Sequence, residues 1–167
     1  MSLQDKTIII TGSSRGIGRE IAIKCAKDGA NIVIIGKTVD PHPKLEGTIH
    51  SVAQEVIDAG GKALPIALDL RDDSQYEGVI NQILDTFKSI NILVNNASAL
   101  YMSKMEDTPT KKYDLVNGVN GRATFLFTQA CLPHLLNHKQ SDVLTISPPL
   151  NLETKEFGKC PAYTISK

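Results

Sequence analysis

A tyrosine and a lysine stand four residues apart in Tyr163-Thr164-Ile165-Ser166-Lys167. On a helix such residues lie one above the other on the same face. Pro161 suits a first helical position, where its missing N–H costs nothing. An ammonium beside a phenol favours the phenolate. At a few ångströms and an effective dielectric of about 20, the attraction is worth roughly 4 kcal/mol. That equals about 3 pKa units on a group that ordinarily titrates near 10. A tyrosine tuned in this way exchanges protons with an alcohol near neutral pH. By itself the pair also fits a plain solvated helix face, because Tyr-x-x-x-Lys arises often by chance.

A second cluster lies near the N-terminus, in Thr11-Gly12-Ser13-Ser14-Arg15-Gly16-Ile17-Gly18. Glycines at these positions let the backbone turn tightly and approach a pyrophosphate, and a following helix N-terminus offers free N–H groups and partial positive charge. The loop follows a strand-like run and opens a helical pattern inside a βαβ unit, the context that makes such a loop a dinucleotide site. Gly12, Ser13, Ser14, Arg15, Gly16, Ile17 and Gly18 are therefore candidate cofactor-binding residues. At the end of the second strand an acidic residue would bind the 2′-hydroxyl of NAD, and a basic one the 2′-phosphate of NADP. The chain has Lys37 there, with Arg15 in the loop, and two cations hold a phosphate by charge-assisted hydrogen bonds. NADP, as NADPH in its reduced form, is the expected cofactor. Asp40 is a contrary signal, but it lies beyond the strand in a proline-rich loop. Asp69 closes the third strand and either accepts a hydrogen bond from the adenine amine or caps the segment after it. Asn95-Asn96-Ala97-Ser98 closes the fourth, tying the sheet edge together or forming an ordinary turn.

The elements that must position these residues are legible in the hydrophobic pattern. Lys6–Thr11, Asn31–Gly36, Lys62–Leu68, Asn91–Asn95 and Asp142–Ser147 read as strands, the first two buried on both faces. Helical spacing recurs from Ile17 to about Asp28, from Thr48 to Ala59, up to about Lys88, and from Pro109 to about Leu136. Asp72 or Asp73 is expected to cap the third helix, and Asp107 or Thr108 the fourth. Strict alternation of strand and helix predicts an α/β fold, a doubly wound parallel sheet of Rossmann type. Ligands in such sheets sit at the carboxyl ends of the strands near the topological switch point, and every motif above falls at such an end.

Length and composition exclude several other classes. A chain of 167 residues, 41% hydrophobic, suffices for one domain with its own core. Eighteen basic residues balance eighteen acidic ones, so nothing argues for a nucleic-acid or anionic-membrane partner. Apolar runs are too short to span a bilayer, and no leader pattern precedes Thr7. Cys25, Cys131 and Cys160 fit reduced intracellular thiols. His134 and His138 have metal-ligand spacing without a third partner, and no metal site is expected.

Taken together, Thr11–Gly18, Asp69, Asn95-Asn96-Ala97, Asn120 within the fourth helical stretch, and Tyr163 with Lys167 resemble the short-chain dehydrogenase/reductase family over the whole chain. The resemblance implies an NADP-dependent oxidoreductase acting on an alcohol or carbonyl. Tyr163 would then give or take the proton, and Lys167 would lower its pKa and hold the nicotinamide ribose. Asn120 would position a water linking the lysine to solvent, and Asn96 would belong to the cofactor site. Ser147 would stand for the serine that bonds the substrate oxygen, although Ser147-Pro148-Pro149 replaces the usual Ser-Ser pair and the stretch to Tyr163 is longer than usual. A narrower likeness to one subgroup rests on Lys37-Thr38, on Pro41 to Leu45, on Asp107 to Lys111 and on Ile146 to Asn151. It implies a lipid-like small-molecule substrate, sterol or fatty-acyl, and a peroxisomal or mitochondrial location, with homo-oligomers among full-length relatives. Residues 1–167 are thus expected to form one NADP-binding domain lacking the C-terminal third of the family's fold and incomplete at that sheet edge. A non-catalytic NADP-binding fragment or divergent isoform is the competing expectation.

Overall fold

In the computed structural model, residues 2–43, 45–148 and 158–167 are described. The strands are β1 (Thr7–Thr11), β2 (Asn31–Gly36), β3 (Lys62–Ala67), β4 (Ile92–Asn95) and β5 (Asp142–Thr145). All pair in parallel, in the order β3-β2-β1-β4-β5. Between and after them run α1 (Gly16–Lys27), α2 (Ile49–Asp58), α3 (Tyr76–Phe87), α4 (Thr110–Asn117), α5 (Thr124–Leu135) and α6 (Pro161–Ser166).

Two hydrophobic cores lie back to back across the sheet. Successive strand side chains point to opposite faces. Ile8, Ile10, Ile32 and Ile34 accordingly join Ala22 and Ala26 of α1 and Val52 and Val56 of α2. Ile9, Val33 and Ile35 join Ile80 and Ile83 of α3 and Phe127 and Cys131 of α5 on the other face. Burial pushes the Cys131 thiol up to about 12, so it acts as a core residue. Gly18, Ala22 and Ala26 give α1 a small-residue face that lets it sit close to the sheet. Strand order reverses between β1 and β4, which sets the loops after these two strands side by side.

Several helix starts differ from expectation. Neither Asp72 nor Asp73 caps α3: a 3-10 turn, Asp73–Gln75, precedes it, and Gln75 is its N-cap without a side-chain bond. Asp72 instead accepts from Ser74 and Gln75, and Asp73 pairs with Arg122. Asp107 and Thr108 do not cap α4 either; Pro109 occupies that position, and Thr108 Oγ1 bonds back to Lys104 O. The single helix expected after Pro109 is three pieces, α4 and α5 being separated by a π-helical segment, Gly118–Ala123. Short polar side chains that satisfy one another locally take themselves out of capping. β5 is the outer strand beside β4, and all its residues are exposed.

Candidate active site

The glycine loop after β1 is shaped by the loop after β4. Asn96 Nδ2 donates to Thr11 O at 2.9 Å and to Gly12 O at 3.0 Å. Thr11 Oγ1 accepts from the backbone N–H groups of Asn96 and Ala97, both at 3.0 Å. Gly12 has φ +66°, and a Cβ on it would lie 2.7 Å from Ala97 Cα. A Cβ on Gly18 would lie 2.5 Å from Asn96 Nδ2 and 2.9 Å from Gly12 O. Ser13 is buried and donates to Ile10 O at 2.7 Å; Ser14 is also buried. Ser13 and Asn96 therefore spend their side chains on loop shape, the edge-tying reading of the Asn-Asn-Ala motif. Gly16 and Ile17 stand exposed where α1 begins. No side chain caps α1 and no acidic residue occupies its first turn. Its free N–H groups and partial positive charge are available to an anion. These features fit a pyrophosphate.

The loops enclose a cleft of about 450 Å³, lined among others by Gly12, Arg15, Lys37, Asp69, Arg71 and Ala97. Arg15 Nη2 donates to Thr38 Oγ1 at 2.9 Å and to Gly47 O at 3.2 Å, and its Nε donates to Glu46 O at 3.1 Å. Its Nη1 remains without a partner among the described residues, so the guanidinium is fixed yet retains donors. Lys37, read from sequence as a phosphate ligand, donates to Asp69 Oδ2 at 2.8 Å. Asp69 does not cap a helix. Its Oδ1 accepts from Arg71 N at 3.1 Å and Nε at 3.0 Å, and its Oδ2 from Arg71 Nη2 at 2.6 Å. The Arg71 bonds first, and Lys37 after them, hold the Asp69 carboxyl far below the usual carboxylate range. Arg71 and Thr38 were missed in sequence. A basic residue two places beyond a strand-ending aspartate was the available signal for Arg71, and Thr38 stood in the Lys37-Thr38 segment of the subgroup likeness without a role assigned to it.

The other group of candidates gathers around Asn120, which is buried in the π-helical segment. Its Oδ1 accepts from Ala99 N at 2.8 Å, and its Nδ2 donates to Ala99 O and to Ser166 Oγ, both at 2.9 Å. Segments of this kind recur at functional positions because the wider turn re-aims a side chain. Ser166 Oγ donates in turn to Tyr163 O at 2.7 Å. Pro161 opens α6 as expected, which sets Tyr163 in its first turn and Lys167 at its C-cap. Lys167 Nζ donates to Ile146 O at 2.9 Å, and burial lowers its pKa. Asn120, Ser166 and Lys167 line one groove with Thr145 of β5. Ser147 is exposed, its hydroxyl donating to Pro148 O at 3.3 Å, so it is not held toward Tyr163. Pro149 and the rest of the long Ser147–Tyr163 stretch up to residue 157 lie outside the described residues. The Lys112 ammonium lies 5.3 Å from the Tyr101 ring centroid, within cation–π range. Among the described residues no helix is long and apolar enough to cross a membrane, and no cluster of metal-ligating side chains occurs.

A family model described as short chain dehydrogenase matches residues 6–167. Hydroxysteroid dehydrogenase-like protein 2 of Danio rerio is 53% identical over 161 residues, 96% of this chain and 39% of that protein. A short chain dehydrogenase of Mycobacterium thermoresistibile is 41% identical at a TM-score of 0.91, covering 99% of this chain and 61% of that one. A metagenomic short-chain oxidoreductase in complex with NADP is 27% identical at a TM-score of 0.88, covering 100% and 72%. The reductase A1-R′, complexed with NAD, is 28% identical at 0.82, covering 99% and 68%. The chain spans about two fifths of the length of the curated relatives it matches.

Proposed function

Because the chain belongs to the short-chain dehydrogenase family, we propose that it binds NADP(H) in the cleft at the switch point and serves an oxidoreductase of alcohols and carbonyls. The observation that carries this reading is the Asn120 side chain. It joins Ala99, beyond β4, to Ser166 on the helix of Tyr163 and Lys167, and so fastens the proton-relay pair to the cofactor cleft.

The cofactor, when bound, supplies or accepts the hydride; the protein orients it and handles the proton. The α1 N-terminus and the backbone of the glycine loop, Gly12 to Gly18, hold the pyrophosphate. Arg15 and Lys37 take the 2′-phosphate, which favours NADP over NAD. Tyr163 exchanges the proton with the substrate oxygen. Lys167, one helical turn further on, holds the nicotinamide ribose. Asn120 has both amide protons committed, so it positions a water only through an acceptor oxygen. Apolar side chains support a lipid-like substrate, sterol or fatty-acyl. Leu100, Met102 and Met105 are exposed on the loop after β4, and Met105, Tyr113, Pro161 and Ile165 line an apolar groove beside α6. Residues 1–167 serve as one cofactor-binding domain. A peroxisomal or mitochondrial location and homo-oligomers in a longer chain belong to the same proposal.

The exposed Ser147, turned to its own neighbour, favours a second reading in which the chain binds NADP(H) without turnover. Titration with NADPH by its fluorescence, followed by NADPH consumption against a panel of carbonyls, separates the two. Binding with turnover supports the first reading, binding alone the second, and no binding removes both. Tyr163→Phe is expected to abolish turnover while leaving NADPH affinity within about twofold, because it deletes one hydroxyl remote from the phosphate contacts. Surviving turnover would overturn the proton relay.

A further inference from the structure

Asp69 stands where an adenine amine would look for an acceptor, yet its carboxylate is already full. A carboxylate offers about four lone-pair directions. Two at Oδ1 are taken by Arg71 N and Nε, and two at Oδ2 by Arg71 Nη2 and Lys37 Nζ. The three bonds from Arg71 come from the same turn, two residues on. Its side chain is 46% exposed, but one of the three bonds comes from its backbone N–H, which a side-chain rotation does not break. The bond from Lys37 is of another kind. It reaches across from the end of β2 on a flexible stem, with the side chain 61% exposed. Exposed pairs of this type are weak, and a lysine ammonium re-aims easily. A doubly charged phosphate is a stronger partner for it than a carboxylate shared with arginine.

We propose that Lys37 is a two-position specificity residue: a 2′-phosphate draws it off Asp69, and the vacated Oδ2 lone pair then accepts the adenine amine while Arg71 holds the carboxylate in place. This rests on the NADP(H) reading above and deepens it. Recognition of the base becomes conditional on the phosphate. With NADP(H), Lys37 moves to the phosphate, beside the fixed Arg15 guanidinium, and Asp69 reads the amine. With NAD(H), Lys37 stays where it is, and the amine meets a saturated carboxylate. The two selectivities are therefore coupled through one ammonium, and Arg71 is a positioning residue for the carboxylate.

The test is a four-cofactor cycle on the full chain, read by the fluorescence of the reduced nicotinamide. NADPH and NADH are compared with their hypoxanthine counterparts, in which a carbonyl replaces the adenine amine. The substitution is expected to weaken NADPH on the order of tenfold, as for loss of a hydrogen bond to a charged group, and NADH by less than about twofold. In Lys37→Met, which keeps the stem, the penalty becomes the same for both cofactors because Oδ2 is open in either case. Equal penalties in the unaltered chain, no penalty on NADPH, or a difference that persists in Lys37→Met would each overturn the proposal while leaving NADPH binding intact. NADPH that fails to bind, or binds no better than NADH, would instead overturn the cofactor reading and this inference with it.

Discussion

Gly12→Ala and Gly16→Ala form a matched pair that separates two reasons for a glycine. Both residues have positive φ, +66° and +58°. Placing an L side chain in that left-handed region costs roughly 1–2 kcal/mol. A Cβ on Gly16 meets nothing within 4 Å, so backbone strain is its whole cost. A Cβ on Gly12 lands 2.7 Å from Ala97 Cα and 3.1 Å from Ala97 N. These are backbone atoms, and Thr11 Oγ1 fixes that segment by accepting from Asn96 N and Ala97 N, so no rotamer change relieves the clash. Overpacking of this kind adds about 1–3 kcal/mol. Gly12→Ala should then cost about 2–5 kcal/mol in all and Gly16→Ala about 1–2 kcal/mol. With a urea slope of about 2 kcal/mol per molar, the midpoint falls by about 1–2.5 M for Gly12→Ala and about 0.5–1 M for Gly16→Ala. The chain has no tryptophan, so far-ultraviolet circular dichroism is the suitable signal. Equal shifts at unchanged slope would refute the reasoning, because strain alone would then explain both glycines and the contact with Ala97 would count for nothing.

Two further predictions concern bonds that bring the site together. The Asp69 pKa is lower in the folded chain than in the unfolded one, so its pairing stabilises the fold above about pH 4 and that contribution fades as acid is added. Since the Lys37 and Arg71 side chains are 61% and 46% exposed, solvent screening limits the effect to at most about 1 kcal/mol. Asp69→Asn should therefore lower the urea midpoint at pH 6 by an amount that begins to shrink only below about pH 4 and closes as the pH falls toward the depressed folded-state pKa; a gap that stays constant well below pH 4 would count against the pairing. Asn120→Ala removes three hydrogen bonds at a buried position and should cost about 2–4 kcal/mol. Limited proteolysis should cut near α6 sooner than in the unaltered chain, and an unchanged cleavage pattern would show that α6 is held by something else.

The fold was legible because its signals are local. Short apolar runs, closed by glycine at β1 and β2, read as strands whose bounds hold to within a residue or two, and strict alternation read as the parallel sheet. The glycine loop was legible for the same reason. Other features depend on partners distant in sequence. Lys37 and Asp69 are 32 residues apart, and nothing in the spacing announces that the lysine leans on the aspartate. The π-helical segment was invisible because the periodicity of Thr110 to Leu135 continues through it. Its cause is tertiary: Asn120 is held by Ala99 and Ser166, 21 and 46 residues away. Asp72 misled because an aspartate before a helix normally caps it, whereas here neighbouring Ser74 and Gln75 engage it first.

The tyrosine–lysine pair acquires a constraint that its spacing alone could not supply. Burial lowers the Lys167 pKa, which works against the charge that the proposed relay needs. The Ile146 carbonyl works the other way, because an acceptor 2.9 Å from Nζ favours the ammonium. An ammonium has three N–H donors and Ile146 O takes one, leaving two. Two is the number the proposed roles require, one toward the Tyr163 hydroxyl oxygen and one toward the ribose. Thus the end of β5 helps keep Lys167 charged and aimed, and Asn120 keeps α6 at the distance where that carbonyl can be reached.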